Sequence, residues 1–89
     1  MTDQQARVFE ALARGRLIFP FRDELRGLRD LAKSGPLTSD EQGRLTALDG
    51  AYQKIKAKDE WFHSAMLAGD PASAAKVAQD ALAILKEVA

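Results

Sequence analysis

The chain has 89 residues, no cysteine, and thirteen basic residues balanced by thirteen acidic ones. That length suits one small domain, and the missing thiols exclude disulfides, thiol catalysis and cysteine-based zinc sites. Zero net charge leaves no broad electrostatic footprint for nucleic acid or a membrane surface, and a hydrophobic fraction of 46% is too high for a disordered chain.

The start, Met1 to Gln5, is polar and acidic and does not read as a secretory signal. No apolar run approaches a membrane span. A reducing, cytoplasmic setting is the expectation. Thr2-Asp3-Gln4-Gln5 has the form of a capping box and opens a first helix, with Val8, Phe9 and Leu12 as its apolar face. Gly15 weakens that helix and Pro20 bends or breaks it. A second run carries Phe21, Leu25, Leu28, Leu31 and Ala32 on one side. Ser34-Gly35-Pro36 stops it, with Gly35 expected as a left-handed cap.

Thr38-Ser39-Asp40-Glu41 is a second capping box, with two acids in the first turn to complement the helix dipole. The helix it opens carries Leu45, Leu48, Tyr52, Ile55, Phe62 and Met66 at three-four spacing, with Asp59 in the one polar slot. That is a coiled-coil-like seam, and it must pair with something. Gly69-Asp70-Pro71 ends the helix and caps a last one, whose inner side is Val77, Ala78, Ala81, Leu82, Leu85 and Val88.

These elements predict an all-α fold. It is an elongated antiparallel helical hairpin with an additional C-terminal helix, a three- to four-helix bundle in one domain over residues 1–89. The helices span about 3–34, with a kink or break near Pro20, then 39–68 and 71–88. The short connection at 35–38 sets a ladder of Leu28 on Leu45, Leu25 on Leu48, Phe21 on Tyr52 and Ile18 on Ile55. Carried further, it sets Arg14 against Asp59 as an ion pair in which two polar breaks meet. The second turn sets Phe62 on Ala78, Ile55 on Leu85 and Tyr52 on Val88.

Phe9, Leu17, Leu31 and Trp61 fall off the main seams, as does Phe19, and are the candidate partner-binding residues. Arg22, Arg26, Arg29 and Lys33 share one helix face and form the candidate nucleic-acid stripe, although Asp23, Glu24 and Asp30 interrupt it. Catalysis has little to work with. The single histidine, His63, points about 100° away from Ser64 beside it, so the two make no nucleophile–base pair.

Glu60 and His63 share a helix face at the spacing used by helical-bundle di-iron sites, with Glu10 as a further candidate ligand. The segment Asp59-Glu60-Trp61-Phe62-His63-Ser64-Ala65-Met66 resembles the ligand helix of the encapsulated ferritins. The resemblance implies an iron site assembled between subunits. Arg7, Arg14 and Arg16 stand near Glu10, where that family carries carboxylates. A half-exposed histidine beside an aromatic pair is the plainer account of His63.

The leading expectation is a non-enzymatic protein–protein interaction module, an oligomerising adaptor or chaperone-like partner. It needs no cofactor and pairs with itself or with a helical protein. The alternatives are a nucleic-acid-associated adaptor, such as the oligomerising hairpin of a phage-type DNA-packaging subunit, and the inter-subunit iron site.

Overall fold

The computed structural model describes residues 3–89, the side chain of Gln4 excepted, as four helices. Helix α1 is Asp3–Arg14, α2 is Arg22–Ser34, α3 is Ser39–Leu67 and α4 is Pro71–Glu87. No strand occurs among the described residues, and no helix among them is long and apolar enough to cross a membrane. Thr2 of the first capping box lies outside the described residues.

Helix α3 begins where its capping box requires. The Thr38 hydroxyl accepts the Glu41 N–H at 3.1 Å, and the Glu41 carboxylate accepts the Thr38 N–H at 2.9 Å. It ends at Gly69, whose φ of +70° is open to glycine at little steric cost. The Gly69 N–H bonds the Met66 carbonyl and the Asp70 N–H reaches back to Ala65, the two crossing bonds of a Schellman stop. Asp70 then caps α4 by accepting the Ser73 N–H at 3.1 Å, with Pro71 in the first turn.

Those two punctuation marks fold α4 back along α3, and this is the tightest pairing in the molecule. Phe62 shares a core cluster with Ala74 and Ala78, Ile55 with Ala81 and Leu85, and Leu48 and Ala51 with Val88. Phe62 and Ala78, and Ile55 and Leu85, thus share clusters as expected across the second turn, and Tyr52 packs against the cluster that holds Val88. Alanines on α4 leave the space into which Phe62 sinks, and Phe62 and Leu48 are the largest fully buried side chains.

Over 3–34, where a kink or break was expected near Pro20, the chain forms two separate helices, α1 and α2. Helix α1 stops at Gly15, with φ +69°, where the Gly15 N–H closes on Ala11. The break therefore falls at Gly15, and an irregular segment follows to Phe21. Freed from α2, α1 lies against α4, and Val8 and Ala11 join the Phe62 cluster. The expected Arg14–Asp59 pair does not form. Arg14 bonds Glu10 one turn back at 3.0 Å, while Asp59 accepts the Leu17 backbone N–H at 2.9 Å. The irregular segment has lost its helical partners, and the polar slot in the α3 seam supplies one in their place.

The ladder between α2 and α3 survives in part. Leu25 and Leu48 are both buried in one cluster, with Leu28, Leu45, Phe21 and Tyr52 packed around them. Ile18, expected on Ile55, stays 40% exposed, and Leu17, Phe19 and Phe21 pack there instead. Helix α2 is inclined across α3. Its ion pairs, Glu24 with Arg44 and Arg29 with Asp49, advance along both helices in the same sense, opposite to a side-by-side antiparallel zip. Gly35, expected in the left-handed region, is extended with φ 166°. The whole measures 47 × 26 × 16 Å, a thin rod set by α3.

Two substitutions test the break. Gly15→Ala forces a side chain into the left-handed region and should lower stability by about 1–2 kcal/mol. Asp59→Ala strands the half-buried Leu17 N–H and should lower it by about 1–3 kcal/mol. Urea unfolding measures both, and a neutral Asp59→Ala would mean that the bond does not hold the segment.

Candidate interaction surface

Of the four residues expected to bind a partner, three stand at the surface. Phe9 is 59% exposed, Leu31 51% and Trp61 74%. Leu17 does not belong with them. It is half-buried and packs against two of the core clusters, because the break at Gly15 turns its segment inward. Phe19 is also inside, edge-on to Phe21 at 6.0 Å and to Tyr52 at 5.5 Å.

The basic stripe is thinned by its neighbours. Arg22, Arg26 and Lys33 are exposed, but Arg29 is drawn to Asp49 and lies 5.7 Å over the Tyr52 ring. The iron-site candidates lie apart within one chain. Glu10 is held by Arg14, and Glu60 and His63 face solvent on α3. Among the described residues no three metal-ligating side chains come together.

Lone exposed apolar residues are ordinary, so Phe9 and Leu31 on separate helices decide little. Trp61 is different, because it stands in a row. Gly43, Ala47, Gly50, Lys54, Ala57, Trp61, Ser64 and Ala68 follow one another at strict three-four spacing, and every one of them is exposed. The row lies on the side of α3 away from Leu48, Ile55 and Phe62. It spans about 38 Å at 1.5 Å per residue. A side chain added at Gly43 or Gly50 would meet nothing within 4 Å. Apart from Lys54 and Trp61, the row is built of residues no larger than serine. A second helix could approach it to the short end of the usual 8–10 Å axial distance.

This second row was visible in the sequence as the same three-four period, but glycine, alanine and serine barely register on a scale that looks for large apolar residues. Arg44 gave no signal at all. It binds the Glu24 carboxylate through two nitrogens, at 2.5 and 3.1 Å, donates to the Val88 carbonyl, and lies 5.4 Å over the Phe21 ring. One guanidinium thus ties α2, α3 and the end of α4 at the head of the rod.

No protein-family model matches this chain, and neither a curated protein nor a solved structure does.

Two carboxylates carry a pH signature. The hydrogen bonds from Arg44 hold Glu24 below its ordinary value of 4.5, and the hydrogen bonds from Ser73 do the same for Asp70. A lowered folded pKa stabilises the folded state fully above the unfolded value, and that contribution is lost as pH falls through the folded one. The stabilisation from these two bonds should therefore be constant from neutral pH to about 5 and fade as pH falls below 4.5 for Glu24 and below 3.8 for Asp70. Glu24→Gln should be less stable at neutral pH and lose less on acidification, as read from urea midpoints across that range.

Proposed function

We propose that this chain is a protein–protein interaction module that pairs with a second copy of itself through the outer row of α3. Its role in this reading is assembly, with no catalytic part. The observation that carries it is a three-quarters exposed tryptophan set in a row of exposed and, Lys54 apart, small side chains on a long helix. Tryptophan is enriched among the residues that dominate binding energy, and it does so when a pocket or a flat small surface receives it.

The row also favours one arrangement. A parallel pair in register would set Trp61 on Trp61 and Lys54 on Lys54. An antiparallel pair about a two-fold axis can set Trp61 over Gly50, Ser64 beside Ala47, and Ala68 beside Gly43. Each bulky residue then meets a small one, the usual condition for close packing. Lys54 falls beside Ala57, and its stem can lie along the seam while the ammonium reaches solvent. The alternative of a nucleic-acid surface has less support, since Arg29 is committed to Asp49 and acids interrupt the stripe.

Sedimentation over about a hundredfold range of concentration should show a reversible dimer. Trp61→Ala should weaken it by about 2 kcal/mol, or roughly thirtyfold in Kd. The natural chain has no cysteine. Mixing Gly50→Cys chains with Trp61→Cys chains should therefore give the cross-linked pair if the helices run antiparallel. A strictly monomeric protein would end this reading.

A further inference from the structure

Helix α2 is the most weakly held element of the fold. It buries one side chain, Leu25, against four on α3 and four on α4. Leu28 is half-buried, and every residue from Arg29 to Ser34 is exposed. The helix is also weak in itself. Phe21 at its start supplies no side-chain cap, whereas Thr38 caps α3 and Asp70 caps α4. Gly27 stands in its interior, although a side chain there would meet nothing within 4 Å. An isolated helix of thirteen residues is marginal in water, so α2 depends on what it touches.

Besides Leu25 and Leu28, what holds α2 down is a pair of partly exposed ion pairs, Glu24 with Arg44 and Arg29 with Asp49. Such pairs contribute little each and are screened by salt. Beneath α2 lie Leu45, Leu48 and Tyr52 of α3. The rest of the molecule does not need it. Val88 still packs with Leu48 and Ala51, and Arg44 still donates to the Val88 carbonyl when Glu24 leaves. Few buried contacts and exposed polar ties are the marks of an element that opens locally.

We propose that α2 is a strap that unfolds on its own, baring Leu45, Leu48 and Tyr52 while α1, α3 and α4 stay packed. The Glu24–Arg44 and Arg29–Asp49 pairs set how often it opens, so rising ionic strength uncovers this strip. The strap is separate from the outer row of α3, which faces away from Leu48, and the Trp61→Ala chain should open α2 to the same extent.

Amide hydrogen exchange of the full chain, read by NMR at fixed pH and temperature, tests this. Amides from Leu28 to Lys33 should exchange at least about tenfold faster than those from Ala78 to Leu82. Low urea should speed the α4 amides far more steeply than the α2 amides, because a local opening exposes little surface. Glu24→Gln combined with Asp49→Asn should speed α2 exchange roughly two- to tenfold. Sodium chloride at about 0.5 M should speed it in the parent and much less in that double variant. Gly27→Ala should slow it roughly two- to fivefold. Gln79→Gly, at an exposed position of α4, should speed the α4 amides by a similar factor and leave those of α2 unchanged. Exchange in α2 that rises with α4 in Gln79→Gly would show that α2 opens only with the whole molecule and would overturn the strap. Unchanged α2 exchange in the double variant would overturn the part given to the ion pairs.

Discussion

A helix of twenty-nine residues is about 44 Å long, and nothing else in an 89-residue chain can cover it in one pass. That constraint organises the molecule. Helix α4 takes the lower stretch, from Phe62 up to Leu48, because the Gly69-Asp70 turn returns it directly along the seam. Helix α2 crosses the upper stretch at Leu25 and Leu48, and the irregular segment covers the middle with Leu17 and Phe19. In each core cluster α3 and α4 or its end are joined by a different third element, α1, the irregular segment and α2 in turn, so the core is a chain of three small clusters along a rod.

Small clusters hold little apolar area each, so polar ties at the ends of the rod matter more than they would in a thick globule. Arg44 gathers the Glu24 carboxylate, the Val88 carbonyl and the Phe21 ring at one end. Asp59 supplies the acceptor for Leu17 lower down. The two differ in kind. The Arg44–Glu24 pair is partly exposed and screened, and its contribution is modest and sensitive to pH and salt. The Asp59 bond satisfies a half-buried amide that has no helical partner, so its loss leaves a donor stranded.

A rod 16 Å thick cannot hide both sides of its longest helix. Helix α3 presents large side chains to its own chain and small ones outward, interrupted by Trp61. The self-association proposed for the outer side rests on those small residues, which leave room for close approach, and on Trp61 as an anchor.

Local signals in the sequence determined the fold class, the ends of α3 and α4, and the pairing between them. Thr38, Gly69, Asp70 and Pro71 act through bonds to residues within five positions, and such bonds form wherever the chain lies. Phe62 on Ala78 followed because a tight turn leaves two helices only one register. The tertiary structure decided the rest. The break at Gly15 comes with a bond from Leu17 to Asp59, more than forty residues away, which no local pattern announces. That break sent Leu17 inward, left Arg14 to Glu10, and moved α1 from α3 to α4. A left-handed glycine and a missing set of helical bonds are affordable only when a distant side chain compensates, and no local pattern records that it will.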